Sequence, residues 1–319
     1  MAAPRVVSTS SLPIDLAAQL PGARVEVPEC WVGIDHCELA DADALICLLI
    51  DRIDAAVIAR APRLRVIANC AVGYDNVDLA AATARGIAVA NTPDVLTEAT
   101  AELTMALLLA AARRLPEAER LVRSGNWPGW RLDQLLGIQL VGKVFGVVGM
   151  GRIGHEVARR AAAFGMRVIW TDKMRAGGPG DPPGWVELDE LFALADVVSL
   201  HCPLTAETRF LVNAARLARM KRTAILINTA RGGIIDELAL IAALRGEKIF
   251  AAALDVYERE PQVRPQLLEC PRLVLAPHIG SATNEARTRM AQLCADAVIA
   301  VLAGRRPGNL VNPEVLARG

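Results

Sequence analysis

Val144-Phe145-Gly146-Val147-Val148-Gly149-Met150-Gly151-Arg152-Ile153-Gly154 is the stretch on which the fold turns. Its first five residues place apolar side chains on both parities, as in a strand covered on both faces. Beyond the glycines, Ile153, Val157 and Ala161 share one helical face. Only in such a strand, turn and helix context does Gly-x-Gly-x-x-Gly carry chemical meaning. Gly149 permits the tight turn, Gly151 lets the backbone approach a pyrophosphate without a Cβ, and Gly154 lets helix and strand pack closely. The opening residues Arg152 and Ile153 put helix N-terminal N–H groups where an anion is welcome. Asp172, 23 residues after Gly149, has the offset of an acid that hydrogen-bonds a ribose diol. Its charge repels a 2′-phosphate and favours NAD over NADP, against which Lys173 and Arg175 work.

On either side the same rhythm continues. Apolar runs at 167–170, 197–200, 224–228, 250–254 and 273–276 bring the series to six strands, the number of a doubly wound nucleotide-binding sheet. Upstream, runs at 5–8, 45–50, 64–69 and 87–91 alternate with segments of helical period at 53–61 and 77–85. That pattern predicts a second parallel α/β sheet with helices on both faces. Between the two series, 98–114 is Ala- and Leu-rich nearly all round, a buried helix with Thr97 or a neighbour as its cap. Ser124-Gly125-Asn126-Trp127-Pro128-Gly129-Trp130 reads as an irregular loop making an interdomain or intersubunit excursion, and 177–184 as a Gly/Pro loop. A last helix at 282–302 is expected to return to the first domain. The expected domains are therefore 1–98 with 284–319, and 99–283.

The chain has 319 residues, and its 35 Lys and Arg cancel its 35 Asp and Glu. A length of this order suggests about two domains. Zero net charge removes the electrostatic footprint that nucleic acid or an anionic membrane requires, which leaves a small molecule as the expected partner. No apolar run reaches the roughly 18 residues of a membrane span. The seven cysteines include no Cys-x-x-Cys pair and sit mostly beside apolar residues, so the reading is of reduced, buried thiols in a cytoplasmic protein with no metal.

Three polar clusters follow strands of the second series: Asn228-Thr229-Ala230-Arg231-Gly232-Gly233, then Asp255 with Glu260, then Pro277-His278-Ile279-Gly280. Open α/β sheets bind ligands at the carboxyl ends of their strands, so these clusters are expected to meet beside a nicotinamide. Reduction of a keto acid needs a cation for the carboxylate, a hydride donor and a proton donor for the developing alkoxide. Arg231, NADH and His278 suit those roles. A carboxylate hydrogen-bonded to an imidazole favours its protonated form, and Glu260 is the candidate partner.

Val72-Gly73-Tyr74-Asp75-Asn76, Asn91-Thr92-Pro93, the glycine fingerprint, His201-Cys202-Pro203-Leu204-Thr205, residues 228–233, Leu254-Asp255-Val256 with Glu258-Arg259-Glu260-Pro261, and residues 276–280 together resemble the D-2-hydroxyacid dehydrogenases over nearly the whole chain. The resemblance implies a flavodoxin-like substrate domain joined to an NAD-binding Rossmann domain, a homodimer, and Arg231, Glu260 and His278 as the catalytic set. It implies that Thr229 and Asp255 hold the nicotinamide half, that Thr97, Cys202, Pro203, Ala230 and Gly280 line the cofactor site, and that backbone N–H groups near Val72 and Gly73 bind the substrate carboxylate. Residues 91–97 and Trp130 with Leu136-Gly137 are most similar to the glyoxylate/hydroxypyruvate reductase branch, which implies that Trp130 lines a partner subunit's substrate pocket. Many members of that branch carry an NADP-accepting pattern where this chain has Thr171-Asp172-Lys173.

His36, His155 and His201 lack an acid and an arginine in comparable context and read as structural or surface residues, and Cys202 as apolar filling. Trp130 has packing at an interface as its plainer role. At this stage 2-ketogluconate and phosphoglycerate types remain alternative substrates, and a non-catalytic, NADH-sensing corepressor-like protein is the alternative class.

Overall fold

The computed structural model describes residues 3–173 and 183–318; Arg175 and residues 177–182 of the expected Gly/Pro loop lie outside them. The chain divides into two compact units, residues 1–96 with 282–319, and residues 97–281. Both breaks fall two residues before the expected 98/99 and 283/284. Thr97 and Glu98 already belong to a continuous helix, and Thr283 caps the last one, accepting from Ala286 N at 3.1 Å.

In the first unit β1 (Arg5–Ser8), β2 (Arg24–Glu26), β3 (Ala44–Cys47), β4 (Val66–Asn69) and β5 (Ala88–Ala90) form a parallel sheet of order β2-β1-β3-β4-β5. Every residue of β1, β3, β4 and β5 is buried, as the unalternating apolar runs require of a sheet covered on both faces. Strand β2 escapes sequence reading because it is an edge strand with one apolar residue, Val25, between Arg24 and Glu26. The short helices α1 (Leu16–Gln19), α2 (Ala55–Ala59) and α3 (Leu79–Ala84) start at Asp15, Asp54 and Asp78, whose carboxylates accept N–H groups of the first turn. The tail after the last helix extends the sheet beyond β5. Val311 N donates to Val89 O at 2.7 Å, and the buried Asn312 accepts from Val89 N while donating to Thr83 Oγ1 and Ile87 O.

The second unit opens with α4 (Thr97–Ala112) and α5 (Leu115–Arg123); Thr97 is the first helical residue of α4. There follow β6 (Val144–Val148), α6 (Arg152–Ala163), β7 (Arg167–Thr171), α7 (Leu188–Leu194), β8 (Val197–Leu200), α8 (Ala214–Arg219), β9 (Ile225–Asn228), α9 (Glu237–Arg245), β10 (Ala251–Leu254), α10 (Pro265–Leu268) and β11 (Leu273–Leu275). The strands form one parallel sheet, β11-β10-β9-β8-β6-β7, with a further parallel bridge between Trp170 and Trp185. Succession reverses direction at β6, the topological switch point from which the glycine turn emerges. One face packs Leu191, Phe192, Leu217, Leu226 and Leu240 from α7, α8, α9 and the sheet. The other packs Met105, Leu108, Phe145, Val157 and Trp170 against α4 and α6. The last helix, α11 (Asn284–Leu302), packs on β3, β4 and β5 of the first unit.

Candidate active site

Gly149 sits at φ +96°, and a Cβ there would lie 2.6 Å from Cys202 N, so neither conformation nor space admits a side chain. A Cβ on Gly154 would lie 2.1 Å from Gly149 O. A Cβ on Gly151 would meet nothing within 4 Å, leaving an open cradle at the start of α6, and no side chain among the described residues caps that helix. Room at the middle glycine and the N-terminal end of α6, opening at Arg152 and Ile153, fit a dinucleotide pyrophosphate. At the end of β7 the Asp172 Oδ2 accepts from Met150 N at 2.8 Å, which holds the acid against the glycine turn. His155 Nδ1 lies 3.0 Å from Met150 O and steadies the same turn. Cys202 and Pro203 follow β8 beside it; burial pushes the Cys202 thiol up to about 11, so it stays protonated and serves as apolar lining.

Strands β9, β10 and β11 are adjacent, and each ends in one of the three polar clusters. His278 Nδ1 lies 2.6 Å from Glu260 Oε2, with both side chains about one fifth to one quarter exposed. The other oxygen of Glu260 accepts from Tyr257 N at 2.8 Å. Because Glu260 takes up Nδ1, the Nε2 edge of the ring is the one offered to a ligand. His278 itself has φ +54°, a left-handed conformation that costs a residue with a Cβ energy unless its neighbours impose it.

Those neighbours are Asp255 and Thr100. Asp255, 0% exposed, accepts from Ile279 N and Gly280 N at 2.8 Å each, and its carbonyl accepts from His278 N at 2.8 Å. Burial raises the Asp255 carboxyl above its ordinary range, opposed by those two backbone donors. Thr100 Oγ1 on α4 donates to Gly280 O, and Thr104 Oγ1 meets Thr229 Oγ1 at 3.0 Å. Tyr257 OH donates to Ala276 O, and burial pushes this phenol up to about 12. Neither threonine of α4 was singled out from the sequence. Their signal is two buried hydroxyls at i and i+4 on one face of an Ala- and Leu-rich helix.

Arg231 leaves β9 in a turn fixed by Asn228, whose side chain donates to Arg231 O and accepts from Ala230 N. Its Nη1 donates to Ala230 O at 2.9 Å. A Cβ on the following Gly232 would lie 1.8 Å from Tyr257 C, so the Arg231 turn rests directly on the backbone of the Glu260 loop. Arg231, Glu260 and His278 are thus carried by three interlocked loops at one edge of one sheet.

Elsewhere, His201 is half-buried, paired through Nε2 with Ser199 Oγ at 2.8 Å, and burial pushes its pKa down to about 3. His36 and His155 are exposed. All seven cysteines are free thiols; Cys30 is exposed rather than buried, because it lies in an open loop after β2. In the first unit the turn after β4 has Val72 O held by Asn91 Nδ2 and Gly73 O by Asn69 Nδ2. Trp130 is 79% exposed, in a loop that forms a shallow apolar depression with Leu109, Trp127 and Leu135.

Residues 105–280, which span the glycine turn and all three loops, match the NAD-binding domain of the D-isomer-specific 2-hydroxyacid dehydrogenases. A glyoxylate reductase of Korarchaeum cryptofilum is 50% identical over 281 residues, 86% of this chain and 84% of its own length. A solved structure of the TT0316 protein from Thermus thermophilus shares 48% identity at a TM-score of 0.90, over 96% of this chain and 99% of that one. An NADPH-dependent glyoxylate/hydroxypyruvate reductase of Sinorhizobium meliloti, crystallised with NADP and malonate, shares 32% identity at a TM-score of 0.86, over 98% of both chains. The chain is therefore an oxidoreductase and belongs to the D-isomer-specific 2-hydroxyacid dehydrogenase family.

Proposed function

We propose that this chain reduces short 2-keto acids of the glyoxylate and hydroxypyruvate class to the D-2-hydroxy acid, using NADH in preference to NADPH. The observation that carries the reading is the 2.6 Å pairing of His278 Nδ1 with Glu260 Oε2 on strand ends next to the Arg231 turn. Bound nicotinamide supplies the hydride to the carbonyl carbon. Arg231 holds the substrate carboxylate and draws charge toward the carbonyl oxygen. His278 passes its Nε2 proton to that oxygen, and Glu260 fixes the ring so that Nε2 faces the substrate. Thr229 holds the nicotinamide half, lined by Thr97, Ala230 and Gly280, while Asp255, 0% exposed, acts only through the Ile279–Gly280 turn it fixes. Asp172 accepts the ribose diol, which supports the preference for NADH. In the first unit, the N–H groups of Val72 and Gly73 donate to no protein acceptor among the described residues and suit a carboxylate.

The reading includes a cytoplasmic homodimer. Its support is the run of exposed apolar side chains Leu115, Val122, Trp127, Trp130, Leu132 and Leu136, an area that a second copy of the chain would cover. Trp130 is the residue we give to the partner's substrate pocket. Seven unpaired thiols suit a reducing compartment.

The test follows the loss of reduced-nicotinamide absorbance with glyoxylate, hydroxypyruvate, 2-ketogluconate and phosphohydroxypyruvate, with NADH and NADPH in parallel. Oxidation is expected with the first two, and its absence with every short 2-keto acid sinks the proposal. His278→Ala is expected to lower kcat by about 100-fold or more with NADH affinity little changed. Asp172→Ala is expected to weaken NADH binding instead, and equal effects of the two changes on cofactor binding contradict the division of roles.

A further inference from the structure

Glu237 is an acid that the proposed chemistry leaves unused, yet it is only 3% exposed at the first turn of α9. Burying a carboxylate is costly unless its oxygens are matched by donors. Both are. Oε1 accepts from Glu258 N at 2.8 Å, and Oε2 accepts from Arg264 Nε at 2.8 Å. Arg264 turns back through Nη2 to Glu258 Oε2 at 2.6 Å, and Arg209 Nη2 approaches the other Glu258 oxygen at 3.8 Å. Glu237 therefore grips the segment from Glu258 to Arg264 at both ends. Between the grips the chain makes a tight turn, with Gln262 N donating to Arg259 O at 2.8 Å, and Glu260 stands in that turn.

We infer that Glu237 is a positioning residue for the Glu260–His278 pair, acting by clamping the loop that aims the Glu260 carboxylate at Nδ1. This rests on the proposed roles of Glu260 and His278. Two features make the clamp directional. The Glu260 loop is pressed from the other side by the Arg231 turn, since Gly232 leaves no gap to Tyr257. The loop has no helix or strand of its own between β10 and α10, so side-chain donors and acceptors set its course. When Arg264 loses its acceptor the segment can swing, and a displacement of an ångström at a reacting centre costs about 100-fold in rate.

The experiment is a kinetic double-mutant cycle on the full chain with NADH and glyoxylate, comparing wild type, Glu237→Gln, Glu260→Gln and the double variant. Glutamine keeps the shape but offers one acceptor oxygen to two donors, so either Arg264 Nε or Glu258 N loses its hold on position 237. Glu237→Gln is expected to lower kcat by about tenfold with KM for both substrates within about twofold. Placed on Glu260→Gln, the same change is expected to lower kcat by less than about twofold, because its route to the imidazole is already gone. Arg264→Gln, which breaks the clamp from the other end, is expected to repeat both results and stands in should Glu237→Gln fold poorly. A full tenfold loss in both backgrounds, tracking a fall in thermal midpoint, would mean that Glu237 only stabilises the unit and overturns the inference. Undiminished activity in Glu260→Gln alone would instead overturn the function on which it rests.

Discussion

At position 232 a single methyl group decides whether the Arg231 and Glu260 loops can coexist. A Cβ there would stand 1.8 Å from Tyr257 C and 2.0 Å from its oxygen, both backbone atoms with no rotamer to retreat into. Gly232→Ala is expected to cost at least about 2 kcal/mol in urea unfolding and to lower kcat with it. Gly151 gives the opposite result. Its surroundings are open and its φ of −76° suits alanine, so Gly151→Ala is expected to change stability by less than about 1 kcal/mol. Only the approach of a pyrophosphate is blocked, and NADH affinity measured by fluorescence titration should fall by about tenfold or more. An unchanged affinity would remove the α6 N-terminus from the cofactor site. Arg231, Glu260 and His278 could be nominated from sequence because each sits in a cluster of polar residues following a strand. Glu237 could not, since its meaning depends on a backbone N–H 21 positions away that only the folded chain presents.

Elements were legible where one covalent stretch carried the whole signal. Strands such as β6 and β9, buried along their entire length, announce themselves by apolar residues on both parities. Strand β2 does not, because pairing with β1 alone makes it a strand and its side chains remain half in water. Helix α4 read as apolar all round, which hid Thr100 and Thr104, the two residues that tie it to the Gly280 and Thr229 turns. The segment after α11 gave no sequence signal at all, yet it is pinned to β5 by Asn312. That amide satisfies one N–H and one carbonyl of the strand region while itself 0% exposed. Asn312→Ala is expected to strand those groups and cost about 2 to 3 kcal/mol, read as a shift in the urea midpoint of the first unit's transition. A change within about 0.5 kcal/mol would show that the tail is dispensable.

For the molecule as a whole, His201 links stability to pH. Its folded pKa of about 3 lies below the ordinary 6.5, so the unfolded chain binds a proton over that interval and the folded chain does not. The stabilisation is complete above pH 6.5 and is lost as pH falls toward 3, at up to about 1.4 kcal/mol per pH unit. His201→Gln is expected to flatten that part of the acid limb relative to wild type in chemical denaturation; parallel limbs would mean that the ring protonates without unfolding the sheet. The exposed apolar loop makes a second prediction at this scale. Trp130→Glu with Leu132→Glu, at positions 79% and 81% exposed, is expected to convert a dimer to a monomer in sedimentation velocity. A sedimentation coefficient unchanged from wild type would place the contact elsewhere.

The discontinuity of the first unit sets an order for synthesis. As the chain leaves the ribosome, β1 to β5 emerge early but lack α11, the helix that covers β3, β4 and β5. Every strand of the β6–β11 sheet is made before that helix appears, so the interior unit can close while the exterior one still exposes an apolar sheet face. During that interval the face of β4 that α11 later covers lies open to other chains. Val311 and Asn312, made after that helix, then seal the edge at β5.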